Sequence, residues 1–261
     1  MKNTQFTTSP DGTRIAYDVT GQGPALILLH GAGKDRGDWH KFGYVERLKH
    51  DFTVIAIDLR GSGQSDFLAN IDDYTIEKIC ADVNAVAEAC NASQYLVWGF
   101  SFGGNIARYL GAWYERVKAI AVIGVPFGPA VNEEFDRFID EFVAKWGADA
   151  EAYRTGKWSE AAPKGQAKLK SAIKGRIPAL VACLQAMRSW PSIDPGAVRC
   201  PVLLLAGSRN KGTVKWIESN RQALERANVQ VEIVEGLDHP QEFSQVEQVY
   251  PIVASFLHQQ G

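Results

Sequence analysis

The sequence predicts a doubly wound α/β protein: a mostly parallel sheet with an all-helical lid inserted between two of its strands. Three observations carry this. Short apolar runs alternate with helical patterns over most of the chain. The runs are apolar at consecutive positions, as strands buried on both faces of a parallel sheet are. One long stretch, 127–198, shows helical patterns alone.

In chain order, "TRIAYDVTG" alternates and ends at glycine, as a half-buried strand does. "ALILLHG", "TVIAIDLRG", "YLVWGFS", "AIAVIGV" and "PVLLLAGS" are continuous apolar runs that stop at small or polar residues, and "VQVEIVEG" is a final strand. Helical spacing falls between them at 39–49, 76–90, 105–113, 214–226 and 242–258. Within the strandless stretch, "NEEFDRFIDEFVAKWG", "GQAKLKSAIKGRI" and "ALVACLQAMRSW" read as lid helices. The expected division is therefore a core of residues 1–126 and 199–261 and a helical cap of 127–198.

The 261 residues are 46% apolar and 22% charged, with a net charge of −2. That balance gives no basic excess for a nucleic-acid backbone or an anionic membrane, so neither is expected as a partner. The apolar runs are strand-sized, and "MKNTQFTTSPDGT" has no apolar leader core. Cys80, Cys90, Cys183 and Cys200 lack metal or disulfide spacing, which suits idle thiols in the cytoplasm. No metal and no cofactor are expected.

The chemistry starts at Gly99-Phe-Ser-Phe-Gly103, between the run "QYLVWG" and a helical pattern. A G-x-S-x-G turn from strand to helix holds its serine in a strained conformation at the carboxyl edge of the sheet. There Ser101 can act as a nucleophile, and the Phe102 N–H at the helix start faces the anion that develops. "LLHGAG" resembles the His-Gly loop that gives a second oxyanion donor, the N–H of Ala32, with His30 itself packing the turn. In "VEGLDHPQEF", His239 follows the last strand and precedes a helix, the setting of a general base.

"HGAG", "DLRGSGQSD", "GFSFGG", "PVLLLAGSRN" and "GLDHP", in that order, resemble the α/β-hydrolase superfamily of the serine-esterase type with a helical cap. The resemblance spans nearly the whole chain. It implies the α/β-hydrolase fold and a Ser101–His239 pair completed by an acid just after "PVLLLAG", where this sequence has Asn210. The family's other acid location, after "AIAVIG", has no carboxylate.

An asparagine oxygen can accept from His239 Nδ1–H but cannot stabilise the imidazolium. An Asp-to-Asn change in a trypsin-type triad costs about 10⁴ in kcat. Asn210 is thus expected to orient His239 in a slow enzyme. The alternatives are a carboxylate from Glu133, Glu134 or Asp238, an engineered residue at 210, or a protein that no longer catalyses hydrolysis.

Asp58 and Arg60 in "DLRGSGQSD" are expected to close a loop rather than to catalyse. In the lid, Trp146, Trp158 and Trp190 are expected near a pocket for an apolar or aromatic small molecule, while Phe135, Phe138 and Phe142 have the spacing of core residues. The expected activity is cofactor-independent hydrolysis of a small ester, lactone or thioester through an acyl-enzyme. C–C hydrolase and perhydrolase chemistry share this constellation, and a weakly catalytic ligand-binding protein is the rival that Asn210 favours. The sequence carries no signal for oligomeric state.

Overall fold

Strands that are apolar at every position need cover on both faces, and the computed structural model, which describes residues 4–155 and 176–261, supplies it. The strands are β1 (Gln5–Thr8), β2 (Arg14–Thr20), β3 (Ala25–Leu29), β4 (Thr53–Ile57), β5 (Tyr95–Phe100), β6 (Val117–Ile123), β7 (Val202–Gly207) and β8 (Val229–Val234). They form one sheet in the order β1-β2-β4-β3-β5-β6-β7-β8. From β4 across to β8 every pairing is parallel. β1 and β2 add an antiparallel edge.

Alternate side chains of each central strand enter opposite cores. Ile27, Leu29 and Val97 join one cluster with the helix after β5; Leu26, Leu28, Leu96 and Trp98 join the other with Trp39, Tyr44 and Phe243. β1 was not foreseen. "QFTT" is short and mostly exposed, and only its pairing with β2 through the Ser9–Thr13 turn makes it a strand.

The helices are α1 (Gly37–Lys41), α2 (Tyr44–Leu48), α3 (Ile76–Ala89), α4 (Phe102–Trp113), α5 (Glu133–Arg154), α6 (Arg176–Ala186), α7 (Lys211–Ser219), α8 (Arg221–Arg226), α9 (Gln241–Ser244) and α10 (Val246–His258). Where the sequence suggests one helix at 39–49, Gly43 in the left-handed region (φ 80°) divides it into α1 and α2. The stretches 214–226 and 242–258 are likewise divided, at Asn220 and Gln245.

α5 and α6 both fall between β6 and β7, and the described residues there include no named strand. The ends of this stretch are clipped together where Gly128 and Ile193 exchange backbone hydrogen bonds of 2.8 and 3.2 Å. The lid helix expected from "GQAKLKSAIKGRI" lies almost wholly outside the described residues, as does Trp158. Among the described residues no helix is long and apolar enough to cross a membrane, and no group of three His, Cys, Asp or Glu residues could hold a metal ion.

The topology reverses at β3. The chain continues to β4 on one side of β3, then crosses to β5 on the other. The carboxyl ends of β3 and β5 flank that switch point, where open α/β sheets place their ligands. Asp58 and Arg60 lie just after β4 and close the loop there. Asp58 accepts from the backbone N–H groups of Arg36 (2.8 Å) and Gln64 (2.7 Å). Arg60 grips Asp82 of α3 with both carboxylate oxygens, at 2.6 and 2.7 Å, and reaches Asp11 at 2.9 Å. Burial raises the Asp82 carboxyl from its ordinary value although Arg60 pulls it the other way. Asp11, more exposed, is lowered to about 2: burial works against the shift, and bonds from Thr13 and Arg60 outweigh it.

Removing one partner of a buried ion pair strands the other. Asp82→Ala should therefore lower the unfolding free energy by about 3–5 kcal/mol in urea titrations. A loss below about 1 kcal/mol would mean the pair behaves as a solvated surface contact.

Candidate active site

At the end of β5 the chain must turn into α4 within one residue, and that residue is Ser101, at φ 53° and ψ −113°. Among the described residues the other non-glycine residues with positive φ are asparagines, Asn91 and Asn228, for which that region is common. The strain is held by neighbours. Ser101 N–H donates to Ile123 O (2.9 Å), and Gly103 N–H donates to His30 O (3.1 Å). A Cβ on Gly99 would collide with the Gly103 backbone, and one on Gly103 with Leu29 O, so strand and helix need glycine at both places.

The His30 bond places the loop after β3 over the start of α4. His30 is buried, with Nδ1 bonded to Gly31 O at 2.8 Å and Nε2 accepting from Leu59 N–H at 3.1 Å. Burial holds its imidazole below the ordinary value despite the Gly31 bond, so it is a neutral packing group, as the sequence suggested. Ala32 and Phe102 both line the cleft that holds Ser101, and among the described residues neither N–H donates to a backbone carbonyl.

His239 Nε2 lies 2.9 Å from Ser101 Oγ. Its ring stacks on Phe100 at 5.2 Å between centroids, which fixes the imidazole plane. On the far side, Nδ1 lies 2.7 Å from Glu242 Oε2. Glu242 is only 1% exposed. Its other oxygen accepts from Gly207 N–H at 2.7 Å and from Asn210 Nδ2 at 2.9 Å. Serine, imidazole and carboxylate thus form one hydrogen-bonded line, with the carboxylate anchored at both oxygens.

This corrects the expectation for Asn210. Its Nδ2 donates to Gly124 O (3.0 Å) and Glu242 Oε1, and its Oδ1 caps α7 by accepting from Thr213 N–H (3.4 Å). A flipped amide would set its oxygen against two acceptors, so the orientation is determined by chemistry. Only the amide nitrogen approaches His239 Nδ1, at 3.4 Å, and it has no lone pair to accept the ring proton. Asn210 supports the carboxylate; it does not replace it.

None of the other carboxylates considered from the sequence meets His239. Glu134 lines the cleft, Glu133 is exposed in the first turn of α5, and Asp238 accepts from Gln241 N–H at 3.0 Å. Glu242 was missed because the last helix was expected to begin at it. The helix instead begins a residue earlier, after Pro240, and places positions 239 and 242 one turn apart. The spacing His-Pro-Gln-Glu, three residues on one face, was the available signal.

The cleft has a volume of about 670 Å³, and its apolar wall includes Val125, Phe135, Phe138 and Met187. This reverses the assignments of Phe138, Trp146 and Trp190, while Phe142 packs against the core as its spacing suggests and Phe135 touches both core and cleft. Phe135 and Phe138 face the cleft, Phe138 being 48% exposed. Trp190 is buried, donates Nε1–H to Tyr74 O at 3.0 Å and packs on Phe102 and Tyr109. Trp146 packs on the small cluster of Ala150, Ile177 and Val181. Neither tryptophan lines the cleft.

Two substitutions probe the line. A Cβ on Gly124 (φ 80°) would overlap Glu242 Oε2 and fall 2.8 Å from His239 Nδ1. Gly124→Ala should therefore lower the rate of any reaction at Ser101 by about 10²-fold or more. Asn210→Asp would place a second carboxylate against Glu242, where two neighbouring charges disfavour ionisation. Its kcat should fall; a rise would restore position 210 as the acid's place.

The pattern of the alpha/beta hydrolase fold family matches residues 24–239. Bifunctional epoxide hydrolase 2 of Sus scrofa is 30% identical over 120 residues, 46% of this chain and 21% of that protein, so the chain matches about a fifth of that relative's length. The malate-bound thermophilic esterase from Thermogutta terrifontis superposes with a TM-score of 0.76 at 22% identity, covering 98% of each chain. The bottromycin epimerase BotH superposes equally well, with a TM-score of 0.76 at 22% identity over 98% of this chain and 100% of the other. At such identities the two structures speak for the architecture alone. The family pattern covers most of the sequence, and the chain belongs to the alpha/beta hydrolase fold family.

Proposed function

We propose that the protein is a carboxylic-ester hydrolase that works through an acyl-enzyme on Ser101. The observation that carries this is the unbroken line from Ser101 Oγ through His239 to Glu242, with contacts of 2.9 and 2.7 Å. In the mechanism, Nδ1–H donates to Glu242, which leaves Nε2 free to take the Ser101 proton. Ser101 attacks the ester carbonyl carbon, and the N–H groups of Ala32 and Phe102 hold the tetrahedral oxyanion. A donor of that kind is worth about 10²–10³ in kcat. The imidazolium then protonates the leaving alcohol, and a water activated by His239 cleaves the acyl-enzyme by the reverse sequence.

The nucleophile separates this reading from epoxide opening, the activity in the name of the Sus scrofa relative. A serine oxygen that opened an epoxide would be left as an alkyl ether, which has no carbonyl for water to attack. An ester leaves an acyl group that the same machinery can remove. The apolar wall of Phe135, Phe138, Val125 and Met187 fits an alkyl or aryl group beside the carbonyl. The described residues of 127–198 carry part of this wall as a cap, and the four free thiols suit a cytoplasmic enzyme.

Rapid mixing with a p-nitrophenyl ester should give a burst of p-nitrophenol and an acyl adduct on Ser101 by mass spectrometry. Ser101→Ala should remove the adduct and the labelling by a fluorophosphonate. Turnover of an epoxide without any acyl adduct, or labelling that survives in Ser101→Ala, would defeat the proposal.

A further inference from the structure

Asn105 lies one turn into α4, and its N–H donates to Ser101 O at 2.9 Å. It is 7% exposed, and the exposed part lines the cleft beside Ser101 and Phe102. Its carboxamide is fixed by an unusual neighbour. Arg108, one turn further along, is completely buried and donates to Asn105 Oδ1 and to the carbonyls of Pro126 and Gly128. No carboxylate pairs with Arg108 among the described residues. Burial lowers its guanidinium to about 10, which leaves it charged near neutrality.

A guanidinium has donors and no acceptor, so Asn105 must turn its oxygen toward Arg108 and its NH₂ away. Among the described residues the Nδ2 group has no acceptor, although Oδ1 is satisfied. The amide dipole therefore runs from a buried positive charge to a pair of unmatched N–H donors on the cleft wall. The same cleft is lined by the apolar side chains of Val125, Pro126, Phe135 and Met187. Four residues of helix separate Asn105 from Ser101, a rise of about 6 Å, which suits an acceptor a few bonds from the scissile carbon.

We propose that Asn105 is a specificity-determining residue whose Nδ2–H donates to a second carbonyl oxygen on the acyl chain, so that oxo-acyl esters are preferred over plain acyl esters. This rests on the ester-hydrolase reading of the same cleft.

The test compares ethyl 4-oxopentanoate with ethyl pentanoate, and ethyl 3-oxobutanoate with ethyl butanoate, in wild type and Asn105→Asp. Aspartate keeps an oxygen for Arg108 but turns an acceptor to the cleft, and Asn105→Leu serves as the neutral control. Comparing each pair's kcat/KM ratio between proteins cancels the intrinsic reactivity of the oxo ester. The oxo-to-plain ratio should fall about tenfold in both variants, as for loss of one hydrogen bond near a charge. An unchanged ratio would mean that the amide serves solvent only, and equal losses on both esters would mean that it is packing alone. Binding of the same esters to Ser101→Ala protein, with and without Asn105→Asp, reads the donor without turnover. If no ester is hydrolysed, the ester-hydrolase reading fails; a binding preference for the oxo ester that Asn105→Asp abolishes still upholds the donor, and its absence overturns it.

Discussion

A carboxylate buried next to an imidazole is tolerable only if every oxygen lone pair that faces the protein finds a donor. Glu242 meets that demand with His239 on one oxygen and the Gly207 N–H and Asn210 amide on the other. The surroundings follow from it. Gly124 must lack a side chain because its Cβ would occupy the carboxylate's place. Gly207, at the end of β7, must bring its N–H close, and a Cβ there would strike Leu237 O. Position 210 must offer a donor rather than a negative charge. An asparagine does this while also capping α7, so one side chain settles a helix start and a charged site together.

The nucleophile depends on a second constraint, the reversal of strand order at β3. It brings the loops after β3 and β5 side by side, so Ala32 and Phe102 can share one anion. The bond from Gly103 N–H to His30 O couples those loops through the backbone. The strained φ of Ser101 persists because sheet, loop and helix over-determine it. His30, Asp58 and Arg60 are spent in buried bonds that hold the loops around Ser101.

What was legible in the sequence follows from how local each signal is. Continuous apolar runs reveal buried strands because burial on both faces acts on every residue, and β3, β5, β6 and β7 are buried almost throughout. β1 lacks that signature because its stability comes from a partner strand rather than from its own side chains. The meeting of Ser101 and His239 was legible because a strained strand-to-helix serine requires particular neighbours in sequence. Glu242 was not: a turn of helix put it beside His239, while an asparagine at the expected acid position drew the reading away. Phe138, Trp146 and Trp190 were misplaced for a related reason. Helical spacing shows that Phe135 and Phe138 share a face, but not whether that face meets the core or a cleft.

His239 Nδ1, 2.7 Å from Glu242 Oε2, is placed to share its proton with that carboxylate. Proton and nitrogen NMR of the His239 ring tests it most directly. A slowly exchanging, strongly downfield Nδ1–H resonance is expected, one that moves upfield or vanishes in Glu242→Gln and persists in Asn210→Ala. A resonance indifferent to Glu242→Gln but lost in Asn210→Ala would contradict it and return the orienting role to Asn210.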